Sequence, residues 1–411
     1  MKKSAFKKME RIHRRMILKE TNPGILPIER AIPQNGDTEA AKGRFGYTWS
    51  LRSSYTYHLV AHVTQAYLKR VGGDWMELEA EAHAEFEYDY HEQSIILTHG
   101  DAVFLYEGKL FQYKMDIESR TQTISSNHDV MGLVQVLKSE IKNNNPLRKK
   151  HIHLAPTQDG FWALIKPTPS TAFRNLVLDP KMVEDIHDNT IFHLKHLDGC
   201  NGVIFHGAPG TGKSLMCQAI INEAIREGFS TCFIAGYVNF TLLAELLEHF
   251  LTPCLVVFED IDAFALDRED NDNSNLSSLL QFLSGMTERK EKWAVIATTN
   301  YLHRLDKAIK DRPVRFNRKY EFKLPTNEEI NQLLDVYFPE EKLAAELKRL
   351  CHDKQFAGAH ISEIRRTALT LAKKRSLPLP EVFPAAVTVV HNNFCPALKQ
   401  VGFASNGNGL H

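Results

Sequence analysis

The sequence predicts an α/β protein built on a parallel, doubly wound sheet, with a smaller α+β domain ahead of the sheet and helices behind it. Three observations carry this. Between about residues 172 and 324, short apolar stretches (VIF, TCFIAGY, CLVVFED, WAVIATTN) alternate with segments of helical periodicity, as strands buried on both faces alternate with crossover helices. The first of these strands, Val203 to Phe205, runs directly into Gly207-Ala208-Pro209-Gly210-Thr211-Gly212-Lys213-Ser214, which meets the G-x-x-x-x-G-K-[ST] spacing of a phosphate-binding loop. Before Pro167 the apolar runs fall instead into hairpins and single helices, the mark of a separate α+β domain.

The chain has 411 residues, room for two or three domains of about 100–200 residues each. Lys plus Arg number 50 and Asp plus Glu number 50, so overall charge selects no partner. No apolar run approaches the roughly 18–20 residues of a membrane-spanning helix. Cys200, Cys217, Cys232, Cys254, Cys351 and Cys395 are scattered, with no CxxC pair, which suits reduced core thiols of a cytoplasmic protein. Shifts in composition divide the chain into a basic helix and irregular arm (1–50), the α+β domain (51–168), the parallel-sheet domain (169–325), a helical segment (326–396) that the resemblance given below makes a lid, and a tail (397–411).

Taken in order, residues 1–20 are basic, with Phe6, Met9, Ile12 and Met16 near helical spacing. Such a helix is a loosely docked terminus or a surface for an anionic membrane or a partner. Scattered Pro and Gly from Pro23 to Gly46 predict an irregular arm. Leu59, Val60, Val63 and Tyr67 share one side of a helix over 53–70. Residues 77–90 alternate polar and apolar side chains, which predicts a half-buried strand with an acidic outer row. Residues 102–106 and 110–115 flank Glu107-Gly108-Lys109 as a hairpin, and a helix from Met131 to Ile141 is stopped by Asn143-Asn144-Asn145-Pro146. A second hairpin, 151–155 with 161–166, closes the α+β domain. Its His151 and His153 share a strand face without the cysteine or carboxylate spacing of a metal site. In the parallel-sheet domain, helices over 214–227 and 241–250 connect the strands.

The chemistry gathers where those strands end. Gly207, Ala208, Pro209, Gly210, Thr211 and Gly212 form a loop whose backbone N–H groups turn inward around an anion. The helix opening with Lys213, Ser214 and Leu215 adds the partial positive charge of its N-terminus. At this spacing Lys213 reaches the β- and γ-phosphates of a nucleoside triphosphate and Ser214 gives its hydroxyl to Mg²⁺. Residues 255–262 (LVVFEDID) are a buried strand ending in three acids within four residues, an arrangement that is costly unless a cation meets it. Read by position, Glu259 supports the metal and Asp260 orients or deprotonates the attacking water. Asp260 is one methylene shorter than a glutamate, so this role needs a small shift of the strand or a second water. WAVIATTN ends on Thr298, Thr299 and Asn300, and the amide of Asn300 can place that water. Arg312, Arg315 and Arg318 follow closely enough to supply charge to a transferred phosphate.

With GAPGTGKS, VVFEDID, ATTN and LDKAIKDRPVRFNR in this order, the chain resembles the AAA+ ATPases, and the AAA subgroup within them, over about residues 172–374. The resemblance implies a P-loop NTPase fold with a helical lid, ATP and Mg²⁺ as ligands, and Asn300 as the sensor 1 residue. It makes Arg315 and Arg318 arginine fingers that enter a neighbouring subunit's ATP site, and so implies a ring of six or seven copies. Phe356-Ala357-Gly358-Ala359-His360 is similar to the turn that meets the base and ribose, which adds Gly358 and Ala359 to the nucleotide site. Two departures narrow the resemblance. Glu259-Asp260 stands where most of the family has Asp-Glu, and a short segment between Tyr237 and Val256 leaves little room for an aromatic pore loop. Both resemble the family of the mitochondrial ATPase that translocates the folded Rieske iron–sulfur protein, as do DAVFLYEGKLFQYKMDIESR and FRNLVLDPKMVEDI upstream, though without its membrane span.

The leading expectation is an ATP-driven homo-oligomeric ring that remodels or translocates a protein client selected by the α+β domain, in a chaperone-like way. A machine acting on nucleic acid is the first alternative; the basic N-terminus is its only support, and neutral charge and the lack of a DNA-binding motif weigh against it. A nucleotide-gated ring with little turnover is the second, motivated by Glu259-Asp260.

Overall fold

The computed structural model describes residues 47–52, 63–68, 70, 76–77, 85–89, 94–116, 121–156, 161–236, 238–262, 274–287, 291–306, 309, 316–339 and 343–394. The expected terminal helix at 1–20, most of the arm and the tail lie outside these residues, as does most of the helix expected at 53–70, of which 63–68 are helical. The chain separates into two units, Met1–Arg148 and Lys149–His411.

In the first unit, β1 (Tyr47–Arg52), β2 (Met76–Glu77), β3 (Glu85–Asp89), β4 (Ser94–Tyr106), β5 (Lys109–Asp116) and β6 (Thr121–Ser126) form an antiparallel sheet. Its order is β1-β6-β5-β4-β2, with β3 also pairing with β4. Glu107 (φ 51°) and Gly108 (φ 73°) close the β4–β5 hairpin, the doubly left-handed turn that matches the twist of paired strands. Phe104, Phe111, Tyr113 and Ile124 pack against Leu133, Val134 and Leu137 of α1 (Met131–Asn143). The buried phenol of Tyr113 is satisfied by donating to Gln122 Oε1 at 2.7 Å. Of the strand expected over 77–90, Glu77 falls in β2 and 85–89 form β3; residues 78–84 and 90, and the side chains of the acidic row, lie outside the described residues.

In the second unit, β7 (His151–Pro156), β8 (Phe161–Lys166), β9 (Cys200–Gly207), β10 (Ser230–Ala235), β11 (Cys254–Glu259), β12 (Trp293–Thr299) and β13 (Arg318–Phe322) share one sheet, ordered β13-β9-β12-β11-β10-β7-β8. Every neighbouring pair is parallel except β7 with β8. The β7–β8 hairpin therefore does not close the α+β domain, as expected from sequence, but extends the parallel sheet: β7 lies along β10 with His151 opposite Thr231. Docking there buries Ile152 and Leu154 and supplies partners to a β10 edge that would otherwise stand open. The units accordingly divide after Arg148 rather than near residue 168.

All of β12 is buried, which explains its unbroken apolar run. Val203, Phe205, Leu255, Val257, Ala294 and Ile296 from the sheet pack on Met216, Ile220, Ile221 and Ala224 of α3 (Lys213–Arg226), and on Ile186 of α2 (Pro180–His187). The other flanking helices are α4 (Phe240–Leu246) and α5 (Ser274–Thr287). After β13, α6 (Asn327–Tyr337), α7 (Ala345–Arg349), α8 (Gly358–Arg375) and α9 (Leu379–Phe394) surround a core of their own that includes Leu334, Phe356, Ile364 and Phe383. Thr326 starts α6 with a reciprocal cap: its N–H donates to Glu329 Oε2 at 2.8 Å and its hydroxyl accepts from the Glu329 N–H at 3.3 Å. No helix among the described residues is long and apolar enough to cross a membrane.

Candidate nucleotide site

The site is built on the carboxyl ends of β9, β11 and β12, where a parallel sheet presents its loops. Strand β9 ends at Gly207, whose φ is 139° and where an added Cβ would lie 2.1 Å from the Phe322 carbonyl oxygen of β13. Only glycine fits there. At Gly210 (φ 76°) a Cβ would lie 2.8 Å from the Ala359 Cβ, and the Gly210 carbonyl accepts the Ala359 N–H at 3.1 Å. The loop and the start of α8 are thus in direct contact. Gly212 (φ 105°) is the residue from which α3 starts.

Lys213 is buried and its Nζ donates to the carbonyls of Gly207 (2.8 Å) and Ala208 (2.9 Å). Burial lowers its pKa below that of an ordinary lysine, against the opposing pull of Asp260 and Asp262. The Thr211 hydroxyl braces the loop by donating to the Ala208 carbonyl at 2.8 Å. One residue into α3, Ser214 Oγ donates to Glu259 Oε1 at 2.7 Å. A hydroxyl and a carboxylate joined this closely are the hard oxygen donors that Mg²⁺ takes alongside water.

Asp260 follows the end of β11 with a φ of 50°. Its N–H donates to Thr298 Oγ1 at 2.9 Å, and the N–H of Ile261 donates to the Thr298 carbonyl at 2.9 Å. Burial, then the charges of Glu259 and Asp262, raise the Asp260 carboxyl above the ordinary aspartate value, while Lys213 pulls it down. Asp262 Oδ1 is buried with no hydrogen-bond partner among the described residues. Crowded acids with an unmatched oxygen suit a site that takes a divalent cation.

Asn300, just past β12, lines the same cleft as Asp260 and Thr298. The cleft has a volume of about 740 Å³ and is walled by residues 209–215 on one side, by Leu176 and Leu178 ahead of α2, and by Leu333, Tyr337, Gly358 and Ala359 from the helices after β13. The lining is mixed, with apolar surface from Leu176, Leu178 and Leu333 beside polar and charged groups such as Lys213, Ser214, Asp260 and Asn300, a combination suited to a ligand with both an apolar and a charged part. The fold therefore brings together Pro209 to Leu215, Asp260, Asn300, Gly358 and Ala359, all singled out from sequence, with Glu259 adjoining through Ser214. Sequence reasoning gave no role to Thr298, although it sits in the polar triplet ending β12, nor to Leu176, Leu333 and Tyr337, which carry no signal beyond being apolar.

Arg318 is exposed and opens β13 opposite Val203, four residues short of the loop at Gly207. At about 3.3 Å per residue this is roughly 13 Å along the strands from the loop, and Arg318 is not part of this cleft's wall. Arg315, Arg312 and Tyr237 lie outside the described residues. His151 and His153 meet through their Nε2 atoms at 2.9 Å, and His151 Nδ1 meets Thr231 Oγ1 at 2.8 Å. Burial holds both imidazoles below their usual pKa, His151 at about 4. The described cysteines are free; all are buried except Cys200, which is partly so.

The stretch from β9 to just beyond β13, residues 203–324, matches the family model described as "ATPase family associated with various cellular activities (AAA)". These residues form an AAA ATPase domain. The chain is similar to Protein CdcH of Halobacterium salinarum, with 30% identity over 202 residues, covering 46% of this chain and 27% of that protein. It is 28% identical over 230 residues to the human ATPase family AAA domain-containing protein 2, covering 50% of this chain and 16% of that one. With AAA-ATPase At5g40000 of Arabidopsis thaliana it shares 26% identity over 287 residues, 61% of this chain and 60% of the relative. The matches to the first of these relatives thus span only 16% to 27% of the relatives' own length.

Proposed function

We propose that the chain hydrolyses ATP with Mg²⁺ in this cleft and uses the turnover, in a homo-oligomeric ring, to remodel or translocate a protein client. The observation that carries this reading is the Ser214–Glu259 contact, which joins the phosphate loop to the acidic end of β11 within one cleft that also holds Lys213, Asp260 and Asn300. Loop N–H groups and Lys213 would hold the β- and γ-phosphates, and Ser214 and Glu259 would hold the metal, which would supply charge neutralisation. Asp260 orients the attacking water and accepts its proton. A carboxyl raised above the usual aspartate value is a better base for that task, since efficiency improves as the catalytic pKa approaches the working pH. Asn300 aligns the water, and Leu176, Leu333 and Tyr337 provide apolar surface for the base.

Arg315 and Arg318 are proposed to act in a neighbouring subunit's site; the exposure of Arg318 and its distance from this chain's own loop support that assignment. The Ala359–Gly210 hydrogen bond ties the helices after β13, proposed as the lid, to the phosphate loop, so that nucleotide state would move the lid and the contacts between subunits. The first unit is proposed to select the client. Glu259-Asp260 and the short 237–256 segment support a finer reading, an assembly ATPase similar to the Rieske-protein translocase family.

Phosphate release by the full chain tests the reading. Asp260→Asn is expected to bind ATP and stop hydrolysis, and Lys213→Ala to abolish both; undiminished turnover in Asp260→Asn removes Asp260 from the catalytic role. Mass measurement with a slowly hydrolysed ATP analogue is expected to show a ring, and a monomer there contradicts the arginine fingers. A nucleotide-gated ring with little turnover, the reading favoured by the Glu259-Asp260 order, predicts wild-type phosphate release no faster than in Lys213→Ala.

A further inference from the structure

Asp260 is a non-glycine residue in the left-handed region, with φ 50°, a conformation disfavoured for L-residues. It persists where the surroundings hold it. The regular β11–β12 ladder stops at Phe258 opposite Ala297, and past the end of β11 the N–H groups of Asp260 and Ile261 both turn to a single residue. Asp260 N–H donates to Thr298 Oγ1 and Ile261 N–H donates to the Thr298 carbonyl, each at 2.9 Å. Thr298 is buried at 1% exposure, yet it reaches the wall of the cleft beside Asp260 and Asn300. Its hydroxyl therefore sits on the inner side of the turn, two residues before the amide proposed to align the water.

We propose that Thr298 is the positioning residue for Asp260: its hydroxyl fixes the left-handed turn after β11, so that backbone, rather than an extra side-chain methylene, carries the shorter acid to the attacking water. This rests on the ATPase reading. Because Thr298 and Asn300 end one strand, a single rigid element sets the acid and the amide together. A hydroxyl serving only to satisfy a buried N–H would affect folding and nucleotide binding alike. A positioning hydroxyl acts on the chemical step, where misplacement of about 1 Å costs on the order of 100-fold.

The test uses the full chain and compares steady-state ATP hydrolysis in wild type, Thr298→Val, which keeps the shape and removes the acceptor, and Thr298→Ser, which keeps the acceptor. Expected are a fall in kcat of about 10- to 100-fold in Thr298→Val with KM for ATP within about two-fold, and recovery to within about three-fold of wild type in Thr298→Ser. An unchanged kcat in Thr298→Val overturns the proposal, as does an equal loss of kcat and ATP affinity or a Thr298→Ser no better than Thr298→Val. Should Thr298→Val not fold, Thr298→Cys carries the same comparison, sulfur being a weak acceptor. A wild type no faster than Lys213→Ala overturns the ATPase reading and this inference together. A wild type that turns over beside an equally fast Thr298→Val overturns this inference alone.

Discussion

The turn after β9 and the turn after β11 flank β12 and serve one cleft, and both take the backbone into the left-handed region. After β9 the left-handed positions are glycines, with φ of 139°, 76° and 105° at Gly207, Gly210 and Gly212. After β11 the left-handed residue is Asp260, held from the neighbouring strand by Thr298. The glycine turn owes its shape to the lack of side chains, so its conformation is intrinsic and backbone N–H groups and neighbouring strands can approach closely. The aspartate turn owes its shape to a tertiary hydrogen bond, which keeps a carboxylate where a glycine would leave none. A binding loop can be made of backbone alone; a turn that must present an acid needs an outside brace.

Changes that break the two turns differently sharpen this contrast. Gly207→Ala is expected to have the largest effect, because its Cβ would meet the Phe322 carbonyl at 2.1 Å with φ at 139°. A loss of about 3 kcal/mol or more in denaturant unfolding and loss of ATP binding by titration are the expected outcomes. On the other turn, Asp260→Asn keeps the N–H that Thr298 accepts, so ATP affinity is expected to stay within a few-fold while phosphate release falls to the Lys213→Ala level. In the wild type, kcat is expected to decline with acid at a pH above that of an ordinary aspartate, since the Asp260 carboxyl is raised by burial and by Glu259 and Asp262. A pH–rate profile with no decline on its acid side removes Asp260 as the base.

Gly212→Ala separates backbone strain from collision. An added Cβ meets nothing within 4 Å there, although φ is 105°, so its cost in thermal or denaturant melts is expected to be only about 1–2 kcal/mol. A loss as large as that of Gly207→Ala would mean that strain, not the Phe322 contact, governs the loop. The smallest effect falls away from both turns. His151 is held neutral with a pKa lowered from 6.5 to about 4 by burial and by His153. Between those values the unfolded chain binds the extra proton, so stability is expected to fall as pH drops from about 6.5 to about 4. His151→Gln is expected to flatten that part of a melting-temperature profile, and an unchanged slope would assign it to other groups.

Which features were legible in the sequence follows from how local their causes are. Glycines before a Lys-Ser pair, unbroken apolar strands and the Glu107-Gly108 turn each derive from a residue's own conformational limits or from burial on both faces, and all stand where the residues place them. The β7–β8 hairpin was legible as a hairpin but not as part of the parallel sheet, because the choice of sheet edge depends on β10, some eighty residues away in pairing His151 with Thr231. Arg318 stands at the start of β13, opposite Val203, a place set by sheet register that its spacing in the sequence does not announce.

The phosphate loop, the acids at Glu259 and Asp260 and the strand-helix alternation were determined by the sequence alone, since each depends on side-chain chemistry within a few consecutive residues. What only the tertiary structure decided is how Asp260 is aimed. A hydroxyl thirty-eight residues downstream accepts its N–H, and nothing local in FEDID announces that bond, because the acceptor arrives only when β12 pairs alongside β11.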